Sequence, residues 1–381
     1  MKTKVFIASS YYPNYLQSFY CKKKEKDSKD GFELKFKDLM ADYFSWGDSW
    51  KFVLEKSGDY QVFQTVVNDK DLQEAWAREN NILLKDDWML DILEEQVRLI
   101  KPVVFFSHDT TYIKPDFRKK LKRELGVKKI ITWDGVGFGL TNNDMVAECD
   151  LVLSCNQLIV DRYIKKGFKA LLFSFGFDGR LLEKLNPKIS SDISFVGSLN
   201  LEKNGHLDRL KFLSSFVKEF DNFAAFISGI DNWHPWDYEQ LFRISHLNIS
   251  EFFDVLALGM KNNGEKYGLD MFNILAGSKI TLNKHIDYAG DFAGNIRLFE
   301  ATGVGTCLLT DYKKNLSEIF NIGTEVMAYK SSDEALEMAK WLLFNDKKRE
   351  QIALAGQKRT LKDYTLENRI ESVFKKLNDF L

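Results

Sequence analysis

Charge of one sign, long apolar runs and patterned cysteines are all missing from this 381-residue chain, and each absence closes a class of function. The 54 Lys and Arg balance 55 Asp and Glu, so no global field exists to hold a nucleic-acid backbone, and no long basic block marks a membrane-binding tail. Nucleic acid is therefore not an expected partner. No run of about 18 apolar residues occurs, so no bilayer-spanning helix is predicted. The opening MKTKVFIASSYYP has too short an apolar stretch for a signal peptide and reads as a first strand. Cys21, Cys149, Cys155 and Cys307 lack metal-ligand spacing, and three fall in or beside apolar stretches, which predicts reduced thiols in a cytoplasmic protein. No Gly-x-Gly-x-x-Gly follows the first strand, where Ala8-Ser9-Ser10-Tyr11-Tyr12 stands, so a dehydrogenase fingerprint is absent. Asp69-Lys70-Asp71 superficially matches a metal-binding Asp-x-Asp, but it precedes a predicted helix near Leu72, where acidic residues cap and favour the dipole. Neither a metal nor a cofactor is expected.

What is present is an α/β pattern. The length exceeds one ordinary core and suits two domains. Short apolar runs bounded by polar turns predict strands at 4–8, 60–67, 102–107, 129–133, 150–154 and 170–174, with helical spacing at 71–80 and 88–100. A turn-rich stretch at 185–191 predicts a linker. The pattern then restarts with strands at 193–196, 223–227, 279–283, 306–310 and 325–329. Two Rossmann-like domains are expected, over 1–184 and 192–362, followed by a helical segment at 363–381. That segment places Leu366, Ile370, Val373, Phe374, Leu377 and Leu381 on one stripe, with Glu367 in the favourable first turn.

The most informative stretch is 268–311, which reads as helix, strand, polar loop, helix, strand. The loop holds His285, Asp287 and Asp291, and Gly294-Asn295 is expected to open a helix carrying Arg297 and Glu300. In a parallel α/β unit ligands sit beyond the carboxyl ends of the strands, and a helix start offers N–H groups to a phosphate. Arg297 would add a planar fork for phosphate oxygens, and Glu300 could accept hydrogen bonds from adjacent ribose hydroxyls. The competing reading of these two is a surface ion pair at i,i+3 spacing, and that of Asn295 is an N-cap residue. Elsewhere, Gly197-Ser198 would let a backbone approach a phosphate or sugar. In the first half, His108 and Asp109 follow a strand and could act as general base or acceptor-orienting group, with Asp134 as a second candidate. The alternatives are a helix cap, a loop residue and a structural turn. The cluster Trp233-His234-Pro235-Trp236 reads as a core plug or a stacking lid.

Asn295-Ile296-Arg297-Leu298-Phe299-Glu300-Ala301, Gly303-Val304-Gly305 and Leu308-Leu309-Thr310-Asp311 resemble the signature of the spore-maturation (CgeB-type) glycosyltransferases. Asn315-Leu316, Phe320, Gly323-Thr324-Glu325-Val326, Tyr329 and Ala355-Gly356-Gln357-Lys358-Arg359-Thr360 fit the same pattern, as do Tyr11-Tyr12-Pro13 and Ala75-Trp76-Ala77-Arg78-Glu79. The resemblance implies the GT-B architecture, two Rossmann-like domains facing across a cleft, with the terminal helix returning to the first. It implies metal-independent transfer of a sugar, hexosyltransferase-like, from a nucleotide-activated donor to a glycan or other hydroxyl acceptor in polysaccharide biosynthesis, in the cytoplasm or peripheral to the inner face of the membrane. Donor contacts would come from Gly197, Ser198, Asp287, Asp291, Gly294, Asn295, Arg297 and Glu300, and catalysis from Asp109, His108, Asp134 or His285. The chain departs from the glutamate pair, eight positions apart, of many retaining members: Phe292 stands eight before Glu300, and His285 and Asp287 are the nearest polar substitutes. Two other readings stay open, a sugar-nucleotide epimerase or hydrolase of the same fold and a non-catalytic sugar-nucleotide-binding protein.

Overall fold

Val5, Phe6, Ile7 and Ala8 form a continuous apolar run that is almost wholly buried, as befits a strand covered on both faces of a parallel sheet. The computed structural model describes residues 2–23, 30–84, 86–108, 110–201, 206–230, 245–285 and 290–378. The chain divides into two units, one made of Met1–Ser174 with Leu366–Leu381 and one of Phe175–Thr365.

In the first unit the strands are β1 (Thr3–Ser9), β2 (Tyr60–Val66), β3 (Val104–Ser107), β4 (Lys129–Trp133), β5 (Leu151–Ser154) and β6 (Ala170–Leu172). They pair in parallel in the order β2-β1-β3-β4-β5-β6. Among the described residues the helices Pro13–Lys22, Phe32–Met40 and Ser49–Lys56 lie between β1 and β2; they were not among the expected elements, although Phe32, Phe36, Leu39 and Met40 are buried at helical spacing. Asp69 caps the helix Lys70–Glu79 by accepting from Leu72 N, and it also receives the Tyr20 hydroxyl. The terminal helix Leu366–Asn378 buries Leu366, Ile370, Val373 and Phe374. Phe374 meets the rings of Trp50 and Tyr60, which ties this helix to the first unit. Leu377 and Leu381 lie outside the described side chains.

The second unit contains β7 (Ser191–Ser198), β8 (Phe223–Ser228), β9 (Ser278–Asn283), β10 (Cys307–Asp311) and β11 (Met327–Tyr329), all parallel in the order β11-β10-β9-β7-β8. Its core gathers Ile193, Phe195, Leu213, Phe216, Ile280, Leu282 and Leu309. The expected linker at 185–191 is not one. Asn186 N bonds Asn273 Oδ1 at 2.8 Å, Ser190 N bonds Gly277 O at 2.9 Å, and Ser191 already begins β7. Phe177 is drawn in earlier still, through its N–H to Tyr364 O at 2.8 Å. Backbone hydrogen bonding, which turn-forming residue types do not reveal, moves the division to 174/175.

Candidate functional site

In a doubly wound sheet, ligands sit outside the carboxyl ends of the strands where the order reverses. In the second unit that place lies between β7 and β9. Arg209, on the helix Leu207–Glu219, joins the two strand ends: its guanidinium donates to Ser198 O at 2.8 Å and to Lys284 O at 2.7 Å. The guanidinium also lies over the Phe195 ring. A Cβ on Gly197 would come within 3.0 Å of that same ring. Gly197, within β7, thus leaves room for the Phe195 ring. Ser198, the last strand residue, is exposed.

Beyond β9, His285 and Asp311 form a dyad. Asp311 Oδ1 accepts from His285 Nδ1 at 2.7 Å and from His285 N at 2.9 Å. Burial alone would raise the Asp311 carboxyl, but the hydrogen bonds and charge of His285, with Lys313, hold it down at about 2. The His285 ring is buried, and its Nε2 has no hydrogen-bond partner among the described residues. Next to it, Asn283 donates to Thr310 Oγ1 at 2.9 Å and accepts from Asn295 Nδ2 at 2.7 Å, while Tyr329 donates to Asn283 O at 2.9 Å. The expected cap at Asn295 is thus replaced: its amide reaches back to β9, and the helix Arg297–Gly303 has Ile296 at its N-cap with no side-chain cap. Asn315 clamps the approach to that helix, exchanging hydrogen bonds with Ala293 N and O at 2.7 and 2.9 Å. Gly294 lies between these two clamped residues.

Arg297 and Glu300 do pair, with Nη1 2.7 Å from Oε2, but Glu300 is buried and Arg297 largely so, and the pair is not a surface bridge. Arg297 Nη1 also lies 3.1 Å from Met271 Sδ. Glu300 Oε2 has no aligned hydrogen bond. Burial raises the Glu300 carboxyl above its ordinary range, against the opposing pull of Arg297. Asp291, by contrast, is an exposed carboxylate paired with Lys314 at 2.6 Å, which lowers its pKa. Asp287, Asp109 and the cluster at 233–236 lie outside the described residues.

In the first unit the strand ends are differently filled. His108 follows β3 with Nδ1 2.9 Å from Ser9 Oγ. Its ring packs edge-on against Trp46 and Phe106, with Trp50 adjacent. Burial lowers its pKa to about 3, which makes it a poor general base near neutral pH. Asp134 also departs from its candidate role. Its carboxylate accepts from the backbone N–H of Val136, Gly137, Phe138 and Gly139 at 3.3, 2.7, 3.1 and 2.9 Å, and from the Tyr163 hydroxyl. Gly139 makes room for that hydroxyl, since a Cβ there would lie 2.3 Å from it. Five donors on two oxygens leave no capacity for a substrate proton.

Arg209, Asn283, Asp311 and Asn315 went unrecognised as site builders in the sequence. Asp311 and Asn315 stand within the motif that carried the resemblance, and Asn283 ends a predicted strand; Arg209, on a helix 75 residues from its Lys284 partner, leaves no local signal. Among the described residues no group of three or more His, Cys, Asp or Glu is placed to hold a metal ion. The thiols of Cys149, Cys155 and Cys307 are raised by burial to about 11, 12 and 12.

With this geometry described, the chain can be compared with known proteins. Residues 209–375 match a family model described as glycosyl transferase-like. In three dimensions the chain is similar to a glycosyltransferase from Rickettsia africae, with a TM-score of 0.57 at 12% identity over 99% of this chain and 98% of that one. It is similar to HepE from Anabaena, solved in complex with UDP and glucose, with a TM-score of 0.56 at 11% identity over 99% and 100%. A third likeness is to sucrose-phosphate synthase from Thermosynechococcus elongatus, with a TM-score of 0.55 at 9% identity over 100% and 99%. No curated protein matches the chain in sequence. Two parallel-sheet Rossmann-like units and these neighbours define the fold as that of the GT-B glycosyltransferases.

Proposed function

We propose that the protein is a glycosyltransferase of the spore-maturation type, moving a hexosyl group from a nucleotide-activated donor to a hydroxyl of a saccharide or other surface-glycan acceptor. The carrying observation is the buried Arg297–Glu300 pair in the second unit, inside the span that matches the glycosyl transferase-like model. A buried ion pair without full hydrogen bonding is costly, and diphosphate oxygens on Arg297 with ribose hydroxyls on Glu300 would supply the missing partners. HepE, of the same fold, binds UDP and glucose, so UDP sugars are the first donors to test.

In transfer, the acceptor hydroxyl oxygen bonds to the anomeric carbon while the bond from that carbon to the diphosphate oxygen breaks. The nucleoside diphosphate leaves with the electron pair, and the hydroxyl proton passes to a base. Arg297 offsets the charge that develops on the leaving diphosphate, the role a metal fills elsewhere. With His108 and Asp134 engaged in packing, Asp109 is the base we assign in the first unit, on its sequence position after β3. No helix among the described residues is long and apolar enough to cross a membrane, and the donor would be used on the cytoplasmic side.

The test is incubation with nucleotide sugars, with and without glycan acceptors, followed by chromatography of the nucleoside diphosphate and mass measurement of the acceptor. Acceptor-dependent release with a mass gain of one hexosyl unit supports the proposal. Release without acceptor, or an epimerised donor, would assign hydrolase or epimerase activity instead; binding without turnover would assign a non-catalytic role.

A further inference from the structure

Single exposed apolar side chains are ordinary on a protein surface; several on one continuous surface mark a place of contact. In the first unit Val136, Phe138, Leu158 and Ile164 are 43%, 57%, 52% and 54% exposed. The first two stand on the loop after β4, the other two on the helix Gln157–Lys165 after β5. Loop and helix are fastened into one surface. The Tyr163 hydroxyl donates to Asp134, a Cβ on Gly137 would lie 3.6 Å from Ile159 Cδ1, and Lys166 Nζ donates to Leu140 O at 2.5 Å and to Asn143 Oδ1 at 3.2 Å. The backbone N–H groups of residues 136–139, all held by Asp134, fix the loop, so Val136 and Phe138 are displayed with little left to order on contact.

Cations stand among these side chains. Leu158, Arg162 and Lys165 share one stripe of the helix at i, i+4 and i+7, and Ile164 lies on the next stripe with Asp161. Over 134–169 the exposed cations are Arg162, Lys165, Lys166 and Lys169, against Asp144 and Asp161 as exposed carboxylates, in a chain whose net charge is −1. Asp161 also accepts from Gln157. On the helix Pro115–Arg123 the lysines 119, 120 and 122 are spent on Asp116, Glu94 and Asp150. Arg162 and Lys165, by contrast, make no ion pair among the described residues.

We propose that this surface docks the first unit on an anionic lipid bilayer, with Val136, Phe138, Leu158 and Ile164 entering the headgroup boundary and Arg162, Lys165 and Lys166 meeting lipid phosphates. Apolar side chains interleaved with cations suit that boundary, because the stems of Lys and Arg lie along apolar surface while their charged heads stay with the phosphates. Unpaired cations add attraction to an anionic leaflet that paired ones do not. A protein partner fits less well, since interfaces are depleted of Lys. Such docking requires nothing of the nucleotide site in the second unit and stands apart from it.

The test is co-sedimentation of the full chain with vesicles of phosphatidylcholine, alone and mixed equally with phosphatidylglycerol. The unaltered chain should partition onto the mixed vesicles and not the neutral ones, and less strongly as salt is raised. Arg162→Gln combined with Lys165→Gln should weaken that partition by about fivefold for each cation removed. Phe138→Ser combined with Leu158→Ser should weaken it about tenfold or more, through the apolar area no longer buried. The four substituted side chains are exposed, and an unchanged denaturant midpoint checks that the fold is kept; the lipid and salt dependence of the unaltered chain needs no variant. No partition, equal partition onto both kinds of vesicle, or unaltered partition by either double variant overturns the proposal. A chain that ignores vesicles but self-associates in sedimentation velocity, and loses that association with Phe138 and Leu158, overturns it too and assigns the surface to a second copy.

Discussion

The strand ends of the two units set the same kinds of residue in different surroundings. In the first unit Asp134 is filled by four backbone N–H groups and a phenol, while His108 spends Nδ1 on Ser9 and leaves Nε2 without a partner among the described residues, packed against Trp46, Trp50 and Phe106. In the second unit His285 Nε2 and Glu300 Oε2 are likewise buried without an aligned hydrogen bond, but the neighbours of these side chains are charged: Asp311 beside His285 and Arg297 beside Glu300. Buried polar groups are ordinarily satisfied, and on the proposed function a ligand at the β7–β9 strand-order reversal would complete the second network. Aromatic rings close off the histidine of the first unit; charged partners keep that of the second in a polar setting.

The sharpest way to break this comparison is Asp134→Ala, which would strand four backbone donors and a phenol. It should cost about 3–5 kcal/mol of stability, as loss of a buried, fully bonded charge does, read by denaturant unfolding. Wild-type stability with lost transfer would return Asp134 to the catalytic candidates. Next, Asp109→Asn should slow transfer about a hundredfold or more while leaving nucleotide affinity unchanged, as expected of a general base. Loss of nucleotide binding in that variant would contradict the assignment of donor contacts to the second unit.

Glu300→Ala should weaken nucleoside diphosphate binding by about 1.5–3 kcal/mol through lost charge-assisted hydrogen bonds, and an unchanged calorimetric affinity would end the ribose assignment. His108 supplies a smaller effect with a definite sign. Its pKa falls from 6.5 in the unfolded chain to about 3 in the fold, so between those values the unfolded chain binds more protons. Its contribution is complete above 6.5 and is lost on acidification at about 1.4 kcal/mol per pH unit. His108→Phe should remove that part of the slope of unfolding free energy between pH 6 and 4; an identical slope would show that the imidazole is solvated. Smallest of all, a chelator should change turnover by less than about twofold, because Arg297 already supplies positive charge at the diphosphate. Activity lost to chelation and restored by magnesium or manganese would refute that.

Much of the fold was legible because a parallel sheet buried on both faces needs continuous apolar strands, and each of the eleven predicted runs overlaps a strand. The buried stripe of the terminal helix was equally plain, since a 3.6-residue period is written locally. Local patterning failed where partners are distant in sequence. Asn295 looked like a cap until Asn283, twelve residues earlier, claimed its amide; the turn-rich segment at 185–191 looked free until Asn273 and Gly277 pinned it.

The sequence by itself determined two α/β halves, the strands of each, and the residue types offered at every strand end. Only the tertiary structure decided which offered groups were already spent. Hydrogen-bond capacity is a property of an atom's surroundings, and those surroundings are built by contacts such as Tyr163 on Asp134, 29 residues apart, and Asp311 on His285, 26 residues apart. Residue type sets how many bonds a side chain can make; folding fixes how many are left for a ligand.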